Sequence, residues 1–443
     1  MGLLCPDAEK GVPIPALGGR LLRFRPGKTA DEADRVLRGI VNDAARWVPF
    51  YRDLYRSAGV DVGRFDGIED LPRLPAVTKE QLLRSPEADR LRKGRRPRLH
   101  ATTSTSGTSG QPLRICLSQA ELYFRRYAYL LGLRRFVPLR FPLRMADVGP
   151  MVPHRSRSVE QRLGVVSILR IPGTWPLWRQ REALVQYRPT ILEGYPTCLE
   201  LLAEDFAEHE ARKLGLRLVV SRGETLVPAA RGLLEHVFGS TIANLYSSEE
   251  MGPIAWECPD HIGRFHVNHD TCVCEIARRG SGEGLGDVTI TNLFNRTMPL
   301  IRYQIGDTAE RLSPEGSACS CGGGRWLEGF ESRVDDFVRL PDGRRVSPRV
   351  PGNLVYNALR SDDDPHVLRP EVRRYQIVQD ETFVVHVRLQ SHGVLDQNLS
   401  SRVRSVMAEG LPELPCTVEE MDAPELTAAG KFKIVISRAP DGR

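Results

Sequence analysis

Thr241-Ile242-Ala243-Asn244-Leu245-Tyr246-Ser247-Ser248-Glu249-Glu250-Met251-Gly252 reads as a short apolar strand that runs into an aromatic ring, two hydroxyls and two carboxylates. Upstream, Thr190-Ile191-Leu192 and Leu216-Arg217-Leu218-Val219-Val220 read as further strands, with helices over Leu199 to Leu214 and Val227 to Val237 between them. A β-α-β-α-β order predicts parallel strands with helices on their faces. Ligands bind at the carboxyl ends of such strands, so Tyr246, Glu249 and Glu250 stand where a ligand is expected.

Further upstream, Thr105-Ser106-Gly107-Thr108-Ser109-Gly110-Gln111-Pro112 packs hydroxyls and glycines into a turn before the strand-like Leu113-Arg114-Ile115-Cys116-Leu117. Glycine lets successive N–H groups point at one spot, and hydroxyls add donors around them, a concavity suited to phosphate oxygens. A Walker loop would end in Gly-Lys-Ser/Thr; this one ends Gly-Gln-Pro, so a P-loop NTPase is not expected. A solvated Ser/Gly loop would have the same composition.

The chain has 443 residues, enough for two or three domains, and its 41% hydrophobic and 27% charged composition suits a globular protein. A net charge of +6, with a basic cluster at Arg92 to Arg98, comes without any nucleic-acid motif, so no nucleic-acid partner is expected. No apolar run is long enough to span a membrane, and the first residues lack the pattern of a signal peptide. The expected location is therefore the cytoplasm. Nine cysteines, an odd number, argue against a disulfide framework.

Ala33, Val36, Leu37, Ile40 and Val41 recur at helical spacing, and Ser118 with Glu121 forms a capping-box pattern ahead of a helix to about residue 135. Val288 to Leu293 and Leu300 to Tyr303 read as strands, and Asp342-Gly343 as a hairpin turn between Phe337–Leu340 and Arg345-Val346. Beyond it, strands at Phe383–Leu389, Cys416–Glu420 and Lys433–Ile436 and a helix near Asn398–Glu409 suggest a small α+β domain. The expected fold is α/β. A large N-terminal domain, 1–334, combines parallel βα units with a β-rich part, and a small α+β domain, 335–443, follows.

Other chemistry-bearing groups fall along the same chain. Tyr303-Gln304-Ile305-Gly306-Asp307 ends a strand on an acid suited to ribose hydroxyls, Arg333-Val334-Asp335-Asp336 sits at the domain junction, and Gly430-Lys431 precedes the last strand. Singly, each has a plain explanation: Tyr246 in packing, Asp307 in a turn, Arg333 with Asp335 in a surface ion pair, Lys431 in solvent. Their joint occurrence in this order carries the argument.

On these motifs the chain resembles the adenylate-forming superfamily of acyl-CoA synthetases, adenylation domains and luciferases. Within it the likeness is to the phenylacetate–CoA ligase branch and its capsule-cluster relatives, which share Ala45-Arg46-Trp47-Val48-Pro49-Phe50-Tyr51-Arg52 and Leu340 to Arg349 as well. The resemblance implies that Thr105, Ser106, Gly107, Thr108, Ser109 and Gly110 grip the ATP phosphates. It also implies that Tyr246 stacks near adenine, Glu250 holds Mg²⁺, and Asp307 and Arg333 contact ribose. Asp335 would be the hinge about which the C-terminal domain rotates. Lys431 would bridge the substrate carboxylate and the α-phosphate. The implied reaction is ATP-dependent activation of a small carboxylic acid and transfer of the acyl group to CoA, with cytosolic ATP and CoA as co-substrates. Alternatives are an amine or carrier-protein acceptor, or a non-catalytic nucleotide-binding relative. Residues between 125 and 200 are expected to line the acid pocket, where Tyr127, Tyr129, Phe136, Trp175 and Trp178 would form an aromatic wall suited to an aromatic acid; a place in the core fits them equally well.

Cys319-Ser320-Cys321-Gly322-Gly323 looks like a thiolate knuckle, and Cys258 with His266, or with His261 in its place, completes a tetrahedral Cys/His set suited to structural Zn²⁺. Some relatives in the same branch resemble this arrangement. Cys272 and Cys274, alternating along a strand, read as core residues.

Overall fold

The structure, a computed structural model, describes residues 30–94, 100–104, 113–149, 159–172, 175, 177–278, 285–330, 338–343, 345–346, 349–359, 361, 368–369, 371–391, 396–426 and 433–440. Two compact units emerge: Met1–Arg135 with Tyr246–Ile305 and Ala309–Glu328, and Phe136–Leu245 with Gly306–Thr308 and Gly329–Arg443.

The first unit opens with α1 (Ala30–Trp47), which buries Ala33, Leu37, Ile40 and Val41 along one stripe, and α2 (Pro49–Ser57), started by a proline at its first position. Two short helices follow, α3 (Lys79–Arg84) and α4 (Glu87–Arg90), and then the antiparallel pair β1 (His100–Ser104) and β2 (Arg114–Ser118). The hydroxyl turn of 105–112 connects that pair and lies outside the described residues. In α5 (Gln119–Leu133) the expected capping box is present, Ser118 and Glu121 each accepting the other's backbone N–H. The second carboxylate oxygen of Glu121 accepts the N–H groups of Arg296 and Thr297, tying a remote turn to this helix start.

In the second unit the βα series begins earlier than the sequence indicates. It runs β3 (Leu143–Gly149), α6 (Val159–Arg162), β4 (Val166–Pro172), α7 (Leu177–Tyr187), β5 (Ile191–Gly194), α8 (Pro196–Asp205), α9 (Glu208–Lys213), β6 (Leu218–Arg222), α10 (Pro228–Phe238) and β7 (Thr241–Ser248). The strands are parallel in the order β7-β6-β5-β3-β4. The single helix expected over Leu199 to Leu214 is two helices, because Phe206 and Ala207 take extended backbone and restart the turn at α9. One sheet face packs Ala146, Val148, Leu192, Val219 and Ile242 against Leu184, Leu199, Leu202 and Leu234 of the helices. The other face carries Asp147, directly in register with Glu193, and Arg222 two residues past Val220, the partner of Glu193. Arg222 Nη2 lies 2.5 Å from Asp147 Oδ1 and 3.9 Å from Glu193 Oε1.

The chain continues in the first unit with β8 (Gly252–Glu257), β9 (Phe265–Val267), β10 (Cys272–Ala277), β11 (Gly286–Asn292), β12 (Tyr303–Ala309), β13 (Arg311–Leu312) and β14 (Trp326–Glu328). Strands β13-β14-β9-β8 are antiparallel neighbours, and β10-β11-β12 form a second sheet. The strand expected over Leu300 to Tyr303 instead starts at Tyr303 and runs past Asp307, which therefore sits inside β12 rather than at its end. Arg302 blocks an earlier start. Its φ of 49° leaves the extended region, and its side chain is pinned to Glu275 Oε2 at 3.1 Å and to the carbonyls of Pro72 and Leu74.

Beyond residue 337, β15 (Val338–Arg339) and β16 (Arg345–Val346) form the expected hairpin, with Gly343 at φ 84° in its turn. Then come α11 (Arg349–Leu359), β17 (Val372–Gln379), β18 (Val385–Ser391), α12 (Gln397–Gly410), β19 (Cys416–Glu420) and β20 (Val435–Ser437). The sheet order is β19-β18-β17-β20, and Val355, Ile377, Val387, Leu389, Val403 and Met407 close a core of its own. The α+β character of this part is as expected. Among the described residues no helix is long and apolar enough to cross a membrane.

Candidate functional site

Where β7 ends, the chain makes a built turn. Ser248 Oγ accepts the N–H of Met251 at 3.1 Å, and Gly252 takes φ 75°, a region costly for any residue with a Cβ. Arg125 of α5 holds the turn from outside, donating to the carbonyls of Glu249 at 2.9 Å and Ser248 at 3.4 Å. A Cβ on Gly252 would lie 2.8 Å from Arg125 Nε, so glycine makes room for that clamp. The result fixes Glu250 indoors, 6% exposed, with Tyr303 Oη donating to its Oε1 at 3.3 Å. Tyr303 is itself buried at the start of β12. A carboxylate held this way keeps lone pairs for a cation and has little freedom to lose on binding one. Tyr246 lies four residues before it, buried near the end of β7.

Asp307 is buried within β12. Thr105, Ser106, Gly107, Thr108, Ser109, Gly110, Arg333, Asp335 and Lys431 lie outside the described residues. Two aromatic residues proposed to line an acid pocket have other uses: Trp175 packs on the helix-side core with Arg179 over its ring, and Trp178 is exposed. Tyr129 packs against Trp256, ring centroids 5.7 Å apart and planes tilted by 39°. The clamp by Arg125 and the contact of Tyr303 with Glu250 were invisible in the sequence, because the partners stand 124 and 53 residues away.

A second constellation is drawn together from the residue after β8, the middle of β9 and the connection between β13 and β14. The ligand atoms of Cys258, His266, Cys319 and Cys321 all lie within 4.8 Å of one another. Cys258 and Cys319 sulfurs are 3.6 Å apart, and Cys321 Sγ is 3.1 Å from His266 Nε2. His266 Nδ1 is 2.7 Å from the carbonyl of Gly324, which fixes the tautomer that presents Nε2 as a lone-pair donor. Gly323 permits this closeness, since a Cβ there would reach 2.6 Å from the imidazole. His261 Nδ1 stands 3.7 Å from both Cys258 and Cys319, at the rim of the group. The backbone N–H of Cys321 draws the Cys319 thiol down to about 6, while burial pushes Cys258 up to about 12. Three sulfurs and an oriented imidazole match the donor set of a closed zinc site. Cys272 and Cys274 are buried, as expected, and the described cysteines are all free thiols.

No family model matches the chain. It is 28% identical to a phenylacetate–coenzyme A ligase of Thermus thermophilus over 295 residues, covering 62% of this chain and 63% of that one. A phenylacetate–coenzyme A ligase of Escherichia coli is 26% identical over 323 residues, 68% and 70% of the two chains. The chain thus spans just under two thirds of the Thermus relative. Among solved structures, 2-hydroxyisobutyryl-CoA ligase in the postadenylation state, in complex with R3-HIB-AMP, matches with a TM-score of 0.71 at 18% identity, covering 93% of this chain and 89% of that one. The chain has the fold of the adenylate-forming ligases and resembles their phenylacetate–CoA ligase branch.

Proposed function

We propose that this chain is an ATP-dependent acid ligase that converts a small carboxylic acid to its acyl-adenylate, releases pyrophosphate and passes the acyl group to CoA. The observation that carries this reading is the Tyr303–Glu250 contact: a buried carboxylate, oriented by a phenol, directly after the last strand of the parallel run. Such an arrangement has little structural purpose, because a neutral residue would pack there at lower desolvation cost.

The steps follow from the groups available. A carboxylate oxygen of the acid attacks the α-phosphorus of ATP, the α–β bridging bond breaks, and pyrophosphate leaves. Negative charge builds on the phosphate oxygens meanwhile. Lys431 offers it an ammonium group, and the hydroxyls and N–H groups of 105–110 hold the departing phosphates. Mg²⁺ at Glu250 would neutralise part of that charge when bound. Asp307 and Arg333 position the ribose, and Tyr246 faces the base. In the second step a thiolate attacks the acyl carbon of the mixed anhydride, and AMP leaves with the bonding pair. Rotation of 335–443 about Asp335 would exchange the groups serving the two steps. Zn²⁺ in the Cys258, His266, Cys319 and Cys321 set would cross-link loops and take no part in catalysis.

The test is pyrophosphate release from ATP and Mg²⁺ across aryl and aliphatic acids, with and without CoA. Acid-dependent release, with a thioester formed only when CoA is present, is the expected result. Release without a thioester would move the acceptor to an amine or a carrier-protein thiol, and no release with any acid would end the proposal.

A further inference from the structure

We infer that Arg373 and Arg374 clasp helix α8 and thereby position the C-terminal segment bearing Lys431 for the first half-reaction; the inference rests on the proposed acid-ligase activity. Glu200 and Glu204, one turn apart, share a face of α8. Consecutive residues of a regular strand point to opposite faces, so two adjacent arginines should not both reach one helix. They do so here because the register of β17 on β18 shifts: Val372 faces Ser391 and Arg374 faces Gln390, which leaves Arg373 as an extra residue. A bulge of this kind re-aims a side chain. Arg373 donates to Glu204 Oε2 from Nε at 3.0 Å and from Nη2 at 2.8 Å, and Arg374 Nη2 to Glu200 Oε2 at 3.2 Å. The Arg374 side chain is only 7% exposed and that of Glu200 18%.

Sheltered pairs of this type add little net stability, since desolvation offsets the attraction. Losing one partner strands the other, so their effect is to favour one geometry over others. The clasped strand reaches the chain before β20 through Gln376. This fully buried side chain donates to the carbonyls of Glu425 at 2.8 Å and Lys433 at 2.9 Å and accepts the N–H of Glu425 at 2.9 Å. Strand β20 adds parallel pairing at Ile377 and Val435. Glu425 and Lys433, the residues on either side of the stretch that carries Lys431 in the sequence, are therefore both held by the strand that the clasp holds. On the other side, α8 starts at Pro196, immediately after the carboxyl end of β5, the ligand-binding edge of a parallel sheet. The clasp thus ties β17, with Glu425 and Lys433 on it, to the helix that starts at that edge.

The experiment compares wild type, Arg373→Glu/Arg374→Glu, and the same variant with Glu200→Arg/Glu204→Arg added. Two rates are read: pyrophosphate release, and thioester formation from supplied acyl-adenylate. Charge reversal is expected to slow the first roughly tenfold, leave the second unchanged, and be largely rescued by the four-residue swap. An unchanged first rate, an equal fall in both, or no rescue by the swap would overturn the clasp. Wild type without pyrophosphate release would instead sink the ligase reading. In that case amide exchange of β17 and α8 decides: acceleration by reversal and restoration by the swap would support the contact, and unaltered exchange would refute it.

Discussion

His266 turns Nε2 toward Cys321 Sγ at 3.1 Å while its Nδ1 is spent on the carbonyl of Gly324 at 2.7 Å. With the ring so committed and three thiols around it, the purified protein is expected to carry about one zinc per chain, read by elemental analysis. Cys319→Ser/Cys321→Ser should lose the metal and about 5 °C or more of melting temperature. Full metal retention in that variant would remove these residues from the ligand set. His261→Ala, at the rim, should keep the zinc.

Tyr303→Phe deletes one hydroxyl and leaves Glu250 without its donor. The expected outcome is a several-fold higher Mg²⁺ requirement for pyrophosphate release with little change in melting temperature. Glu250→Gln should reduce the same rate by roughly 10²-fold or more at any Mg²⁺ concentration. Metal titration of both variants separates the two roles.

Lys431→Ala should abolish acyl-adenylate formation while ATP still binds, as measured by nucleotide titration. Thioester formation from supplied adenylate should persist. Undiminished pyrophosphate release would take the charge-stabilising role away from this lysine.

Local signals were readable and long-range ones were not. The Ser118–Glu121 capping box and the Asp342-Gly343 hairpin each involve a few consecutive residues, and both stand as the sequence indicates. The candidate thiol and imidazole ligands were visible by residue type, and the folded chain groups His266, not His261, with the three cysteines. Strand β3 escaped notice because Arg144 and Asp147 interrupt its apolar pattern; Arg144 is used by the ring and carbonyl of Tyr187, and Asp147 by Arg222, 75 residues downstream. The start of β12 was misplaced for a similar reason, since Arg302 is held by Glu275, Pro72 and Leu74.

Burial pushes the Glu200 carboxyl from 4.5 up to about 7; Arg374 opposes the rise, Glu204 and Glu224 add to it, and Arg373 also opposes it. Although an arginine stands 3.2 Å away, desolvation outweighs it. The folded state therefore keeps a proton that the unfolded chain releases near 4.5. This contribution to stability is complete below pH 4.5 and is lost as pH rises through about 7. Urea midpoints between pH 4.5 and 7 should show that decline in wild type, and Glu200→Gln should flatten it.

Arg222→Ala would leave Asp147 and Glu193 facing each other across adjacent strands with no cation between them. The expected cost is about 2 kcal/mol in urea unfolding, and adding Asp147→Asn should recover much of it. A neutral result for Arg222→Ala would show that water screens the two acids adequately.

The extra residue in β17 makes the contact with α8 depend on a count as well as on composition. Deleting Arg373 would keep Val372 opposite Ser391 and Arg374 opposite Gln390, yet remove the guanidinium that pairs with Glu204. Among related chains, then, the informative comparison at this strand is its length: a gap at Arg373 marks a protein that holds its C-terminal segment by other means, even where both glutamates of the helix are retained.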